Sequence, residues 1–190
     1  GAAEFGSTGK LTTTASAFAN CWNITDITLD GLDLSTCTTV SGMFSYCRSL
    51  QHIDLSGVVP ISSVCTTVSS LFSYCYSLKE IEIDGWDFSN ASVLSIFYYC
   101  YNLRRVEFPN CTPSTITMSD SSSSHMFGYC YNLEYLDERN LFGNYNQFSS
   151  TYAHSAGHNS HYKCRDFYPN QGFCKALTIS GCTQFSHDSL

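Results

Sequence analysis

A group of histidines toward the C-terminal end of the chain has a spacing that could bind a transition metal. Three histidines and a cysteine follow one another at intervals of four, three and three residues: His154, His158, His161 and Cys164. On an α-helix the three histidines would share one face, and imidazole and thiolate are zinc ligands. Gly157, Asn159 and Ser160 lie between them and disfavour a helix. The alternative is a solvated polar loop, and we expect no bound metal or cofactor.

Eleven cysteines are a second possible source of chemistry. Five of them recur at intervals of 25 to 30 residues: Cys21, Cys47, Cys75, Cys100 and Cys130. These intervals differ from the C-x2-C spacing of zinc sites, so we expect a column of buried thiols. Cys37 and Cys65 occupy matching C-T-T-V segments, and a disulfide between them is possible if the protein is secreted. Nothing marks one cysteine as an activated nucleophile, and we do not predict an enzyme.

Tyrosines form the strongest candidate binding surface. One set precedes the recurring cysteines, a second set follows them, and one further tyrosine lies in the middle: Tyr46, Tyr74, Tyr99 and Tyr129; Tyr76, Tyr101 and Tyr131; and Tyr98. Alternating positions around a buried cysteine should point away from the core. Binding surfaces use tyrosine with serine and glycine, because tyrosine offers a large contact area at low entropic cost. The equally weighted alternative is an aromatic ladder that packs on itself and stabilises the repeats.

Carboxylates form a second candidate surface. The residue between two recurring aliphatic positions is acidic in four repeats: Asp54, Glu82, Glu107 and Asp137. Stacked on one face of a sheet, these carboxylates would repel one another, and a cation or a basic partner would relieve the repulsion. Arg105 lies beside them and is included in the candidate surface. The alternative is screening by water and by the neighbouring side chains of His52, Lys79 and Arg104.

An internal repeat must position these residues. Aligned on Phe-x-x-Cys, the chain shows five units of the form F-x-x-C-x-x-L-x-x-I-x-L, at steps of 26, 28, 25 and 30 residues. The alternating I-x-L end predicts a short strand. One unit cannot bury its apolar face alone, whereas stacked units can. We therefore predict a repeat solenoid with a parallel β-sheet on one face, irregular or short helical segments opposite, and a C-terminal cap.

Composition limits the classes of function. The chain has 190 residues, a formal net charge of −7 and only 13% charged residues, so nucleic-acid binding is not expected. No apolar run reaches the roughly 18 residues of a membrane-spanning helix, so we do not expect this chain to insert into a membrane. We expect a cloning scar or disordered leader at residues 1–10 and five repeats at 11–137. Residues 138–190 are expected to form the cap, with a possible degenerate sixth repeat.

Two stretches carry a family resemblance. The run M-F-S-Y-C-R-S-L-Q-H-I-D-L-S-G at residues 43–57 resembles the BspA-type leucine-rich repeat. The run G-W-D-F-S-N-A at residues 85–91 is similar to the G-W-D-x-S-N-V stretch of the mycoplasma-lipoprotein-like subtype. The resemblance implies a right-handed leucine-rich-repeat coil. It also implies a secreted or cell-surface protein with a role in adhesion or protein binding.

The predicted function follows from the repeat and the resemblance together. We expect a non-enzymatic surface module that binds a protein or carbohydrate ligand on a host or neighbouring cell, through the face rich in tyrosine and serine. One alternative is a structural spacer domain of a larger surface protein. A second alternative is a metal-binding protein that uses the histidines and cysteines of the C-terminal region.

Overall fold

The computed structural model describes residues 11–114, 126–133, 135–137 and 178–179. This part of the chain consists of short parallel strands joined by turns, and it contains no helix. The strands are β1 (Asp26–Thr28), β2 (His52–Asp54), β3 (Thr67–Ser69), β4 (Glu80–Glu82), β5 (Ser92–Leu94), β6 (Arg105–Glu107), β7 (Tyr135–Asp137) and β8 (Thr178–Ile179).

The I-x-L ends of the repeats form strands, as predicted. β1 pairs with β2, and β4, β6, β7 and β8 form a second sheet in that order, with every pairing parallel. Ile27 is in register with Ile53, and Ile81 is in register with Val106. The parallel strands are therefore confirmed. The single continuous sheet that we expected is interrupted between β2 and β4.

The segments between the I-x-L strands differ from the prediction. We expected irregular or short helical segments opposite the sheet. The described ranges contain no helix, and these segments form further short parallel strands as well as irregular turns. β3 pairs with β5, and isolated bridges join Thr13 to Thr39 and Thr39 to Thr67. The threonines and valines of these segments are β-branched, which favours an extended backbone. The Thr66 hydroxyl also donates to the Thr38 carbonyl oxygen at 3.3 Å, which fixes one repeat to the next.

The phenylalanines of the F-x-x-C turns form the centre of the core. Consecutive rings stack with centroids 5.2 to 5.6 Å apart along Phe18, Phe44, Phe72, Phe97 and Phe127. All but the first are fully buried. Each turn is closed by a hydrogen bond from the cysteine N–H to the phenylalanine carbonyl oxygen, such as Cys75 to Phe72 at 3.1 Å. The repeat motif therefore specifies a turn and a core position at the same time.

The recurring cysteines are buried thiols, as predicted, and they also donate hydrogen bonds. Each thiol reaches the carbonyl oxygen of the phenylalanine one repeat earlier, at sulfur–oxygen distances of 3.0 to 3.1 Å, in the pairs Cys47–Phe18, Cys75–Phe44, Cys100–Phe72 and Cys130–Phe97. Burial raises the pKa of Cys47 to about 11, and it also raises the pKa of Cys75 and Cys100. These cysteines therefore carry a proton and are poor nucleophiles at neutral pH. Cys21, in the first repeat, is only half-buried.

The two cysteines of the matching C-T-T-V segments, Cys37 and Cys65, are also free thiols in the structure. The Cys37 thiol donates to the Leu11 carbonyl oxygen at 3.4 Å, and the Cys65 thiol donates to the Thr67 carbonyl oxygen at 3.7 Å. Both side chains are fully buried, and burial raises both pKa values. The disulfide considered above is therefore not formed between these two residues.

Candidate ligand-binding surface

An unusual backbone conformation holds four of the predicted tyrosines at the surface. The φ angles are 61° to 65° at the residue before each buried cysteine, namely at Tyr46, Tyr74, Tyr99 and Tyr129. This left-handed region is unfavourable for a bulky side chain, at a cost of roughly 1–3 kcal/mol per residue. Hydrogen bonds between repeats maintain it: the Tyr74 N–H donates to the Tyr98 carbonyl oxygen at 2.7 Å. The first repeat has Asn20 at this position, a residue type that tolerates positive φ.

These four tyrosines form what we call the first ladder. Successive rings are nearly parallel, with centroid separations of 4.3 Å for Tyr46 and Tyr74, 4.9 Å for Tyr74 and Tyr99, and 4.1 Å for Tyr99 and Tyr129. All four side chains are half-buried. The two inner rings, Tyr74 and Tyr99, have a tyrosine against each face. Their ring edges and hydroxyl groups are what remains for a ligand to contact.

The residues that follow the cysteines form the second ladder, which consists of Trp22, Arg48, Tyr76, Tyr101 and Tyr131. Tyr76 and Tyr101 stack at 5.0 Å, and Tyr101 and Tyr131 stack at 5.6 Å. The Arg48 guanidinium lies 5.4 Å from the Trp22 ring and 5.7 Å from the Tyr76 ring. Sequence reasoning identified the three tyrosines of this row but missed Trp22. The same alignment contains the signal, because Trp22 directly follows Cys21.

The two ladders contact each other edge to face. Tyr99 and Tyr101 have centroids 5.6 Å apart at an interplanar angle of 80°, and Tyr98 lies edge-on to Tyr99 at 4.4 Å. Burial raises the pKa of Tyr74 to about 12, and it also raises the pKa of Tyr98 and Tyr101. A hydrogen bond to the Tyr129 hydroxyl raises the pKa of Tyr99. These phenols are therefore neutral donors and acceptors at physiological pH.

The predicted acidic residues each lie at the end of an I-x-L strand, in β2, β4, β6 and β7. Register pairs Glu82 with Glu107 and Glu107 with Asp137, while Asp54 lies at the end of β2. Arg105 forms an ion pair with Glu107, and its guanidinium lies 4.2 Å from the Tyr135 ring. Hydrogen bonds from Ser56 lower the pKa of the Asp54 carboxyl group. The structure thus offsets part of the repulsion at Glu107.

The metal candidates cannot be placed on this surface. His154, His158, His161 and Cys164 lie outside the described residues. Within those residues, no group of three or more His, Cys, Asp or Glu side chains is arranged to hold a metal ion. The same part of the chain has no helix of the length and apolarity needed to cross a membrane.

Comparison with known proteins identifies the repeat. A family model described as the BspA type leucine rich repeat region matches residues 11–153 in six copies, which is about three quarters of the chain. Proteins of this family are commonly surface repeat proteins. No curated protein and no solved structure matches the chain. The matched region contains both ladders and all but the last of the strands, so the chain belongs to the BspA-type leucine-rich repeat family.

Proposed function

We propose that this protein is a non-enzymatic binding module, secreted or at the cell surface, that recognises a protein or glycan through the edges of its two ladders. The observation that supports the proposal is a regular array of half-exposed tyrosines, stacked at 4.1 to 5.6 Å and repeated in four consecutive turns. We further propose that the repeats wind as a right-handed solenoid, with residues 138–190 as its cap.

Rigidity is the main advantage of such a surface. A tyrosine that is already stacked and hydrogen-bonded loses little conformational freedom when a ligand binds, so less of the contact energy is spent on ordering. The hydroxyl groups repeat at the spacing of the rings, which allows several weak contacts to act together along one ligand.

The stacking also limits the mode of recognition. Because Tyr74 and Tyr99 have both ring faces covered, a sugar ring cannot stack on them without opening the ladder. Recognition through hydroxyl hydrogen bonds and ring edges is compatible with the structure. A protein segment or a hydroxyl-rich glycan that lies along the ladders could make these contacts.

The test is a screen against arrays of glycans and extracellular proteins, followed by variants. Tyr74→Phe with Tyr101→Phe removes two hydroxyl groups and retains the rings. We expect about a 30-fold loss of affinity for the captured ligand, since each hydrogen bond contributes about 1 kcal/mol. The matched control is Thr25→Val with Ser63→Ala, which removes two exposed hydroxyl groups that belong to neither ladder and should leave affinity unchanged.

The mutual stacking also favours a second function, a structural spacer. If the ladders serve only to stabilise the repeats, neither array will yield a ligand. In that case the Phe variants, which retain the stacked rings, will leave the arrangement of the repeats unchanged.

A further inference from the structure

Backbone hydrogen bonds join the ends of the strands between the first and second repeats and between the third and fourth repeats. In the described part of the chain, the corresponding bonds are missing between the second and third repeats. Between the first and second repeats, the Leu29 N–H donates to the Asp54 carbonyl oxygen at 3.3 Å and the Gly31 N–H donates to the Gly57 carbonyl oxygen at 3.1 Å. Between the third and fourth repeats, the Ile83 N–H donates to the Glu107 carbonyl oxygen at 2.9 Å and the Gly85 N–H donates to the Pro109 carbonyl oxygen at 3.0 Å.

The boundary between β2 and β4, which we call the seam, lacks these bonds. The expected donors, the N–H groups of Leu55 and Gly57, have no hydrogen-bond partner among the described residues. The two repeats do touch at the start of the strands, where the Lys79 N–H donates to the Gln51 carbonyl oxygen at 3.3 Å. They meet again where the Asp87 N–H donates to the Ile61 carbonyl oxygen at 3.1 Å. The seam is therefore open in the middle and closed at both ends.

A difference in repeat length explains the opening. In the second repeat, the segment that follows the strand runs from residue 55 to residue 65 and advances by ten positions. The matching segments of the first and third repeats, 29–37 and 83–91, each advance by eight. Val59 stays in register with the first repeat, where its N–H donates to the Leu32 carbonyl oxygen at 2.8 Å. The next residue, Pro60, has no N–H to donate. The second repeat thus follows its predecessor through Val59 and rejoins its successor only at Ile61.

The opening forms a groove of about 440 Å³, within the range of sites that bind ligands. Four apolar residues line it, namely Ile53, Leu55, Val58 and Pro60. Three carboxylates, with Ser56 and Gly85, complete the lining: Asp54, Glu82 and Asp84. A second, smaller groove of about 270 Å³ shares Ile53 and Glu82 and has a mixed lining of acidic and basic side chains, with Glu80 and Glu107 beside His52 and Arg105.

The charge in the groove is poorly compensated. No lysine, arginine or histidine in the described residues lies within 4 Å of the carboxylate of Glu82, whereas Glu107 in the next repeat has Arg105. Asp84 accepts a hydrogen bond from the Asn110 side-chain amide at 2.9 Å, which carries no charge. An entering cation would therefore meet acidic groups beside an apolar wall.

We propose that the seam binds a short extended segment of a partner protein that carries a lysine or arginine between β-branched residues. Its backbone carbonyl oxygens would accept from the Leu55 and Gly57 N–H groups, as carbonyl oxygens of the next repeat do for Leu29 and Gly31 at the first boundary. Its aliphatic side chains would contact Leu55 and Val58, and its basic side chain would lie between Asp54 and Glu82. This site is separate from the two ladders and does not depend on the function proposed for them.

The experiment uses the whole chain labelled with ¹⁵N and two synthetic peptides. The probe is acetyl-TVKVT-amide, and the comparison peptide acetyl-TVQVT-amide lacks only the charge. We expect the probe, at millimolar concentration, to shift the amide signals of Leu55 and Gly57, with little change at Leu29 and Gly31. We expect the uncharged peptide to bind about threefold more weakly, the scale of an exposed ion pair.

Two variants locate the charge. Glu82→Gln should weaken binding of the lysine peptide by about threefold and leave the glutamine peptide unaffected. Asp33→Asn removes the same charge in the first repeat, retains an oxygen to accept the Ser35 N–H, and should have no effect. The proposal is overturned if the seam amides do not shift. It is also overturned if Asp33→Asn weakens binding as much as Glu82→Gln, because attraction to the net negative charge would then account for the result.

Discussion

Each repeat has a turn side, which carries the F-x-x-C turn and the ladders, and a strand side, which carries the I-x-L strand. The two sides respond differently to changes in repeat length. On the turn side, the ladders and the phenylalanine stack continue without interruption from Tyr46 to Tyr129. On the strand side, the boundary between β2 and β4 is open. The segment from phenylalanine to the strand has a fixed length in every repeat, whereas the segment after the strand varies. Constant spacing produces stacked columns, and variable spacing produces a local groove.

The largest expected effect comes from alkaline pH, which should destabilise the turn side. Burial raises the pKa of Cys47 from 9.0 to about 11, so the unfolded chain loses this proton first. The contribution to stability is complete below about pH 9 and is lost as the pH rises through 11. Each such thiol lowers the free energy of unfolding by about 1.4 kcal/mol per pH unit in this interval.

Urea unfolding measured from pH 8 to 11 checks this expectation. Cys47→Ala should be less stable at pH 8 but should show a weaker dependence on pH. Stability that stays constant between pH 9 and 11 would contradict the buried thiol column.

Truncating a side chain in the phenylalanine stack should lower the free energy of unfolding more than truncating a side chain at the seam. Phe72 is fully buried between two stacked rings, and Phe72→Ala should lower the free energy of unfolding by about 4 kcal/mol. Leu55 is only partly buried beside the open groove, and Leu55→Ala should cost about 1 kcal/mol. Equal losses in urea unfolding would remove the distinction between the two sides.

Backbone strain in the first ladder should make asparagine a less destabilising replacement for tyrosine than alanine, although both substitutions remove the ring. Tyr99 has a φ of 64°, so Tyr99→Asn should be about 1 kcal/mol more stable than Tyr99→Ala, since asparagine tolerates this conformation. Tyr101 in the second ladder does not have a positive φ. The same pair of substitutions at Tyr101 should therefore show no advantage for asparagine. Thermal unfolding of the four variants makes the comparison, and an equal advantage at both positions would exclude strain as its cause.

The smallest effect is expected at the start of the second ladder. Arg48→Gln removes the cation from the Trp22 and Tyr76 rings and should cost about 0.5 kcal/mol. It should also change the fluorescence of Trp22, which is exposed, whereas Trp86 is buried. Lys79→Gln is the control, because the Lys79 ammonium group contacts Gln51. A spectrum unchanged by Arg48→Gln would show that the guanidinium does not lie over Trp22 in solution.

Much of this architecture could be predicted from spacing alone. The columns of Phe, Cys and Ile lie where the F-x-x-C-x-x-L-x-x-I-x-L pattern put them, because the pattern has one length in every repeat. Tyrosine stacking was one of two alternatives, and sequence could not decide between them because both place the rings at the surface. The positive φ at Tyr74 could not be predicted, since bulky residues rarely adopt it.

The seam was beyond sequence reasoning for a different reason. The step of 28 residues between Cys47 and Cys75 is visible in the chain. The two additional residues of this repeat lie between positions 55 and 65. Their conformation depends on which neighbouring repeat forms hydrogen bonds with Val59 and which with Ile61, and the sequence does not show this. The strands opposite the I-x-L sheet were missed because short C-T-T-V segments, with no long alternation, do not distinguish a strand from a turn.

Native-state hydrogen exchange tests the contrast between closed and open boundaries most directly. The amides to compare are Leu29 and Gly31, Ile83 and Gly85, and Leu55 and Gly57, after correction for intrinsic rates. We expect the Leu55 and Gly57 amides to exchange at least about tenfold faster than their counterparts in the other two repeats, because only they lack a carbonyl acceptor. Equal protection at all three boundaries would contradict the open seam and the binding site proposed within it.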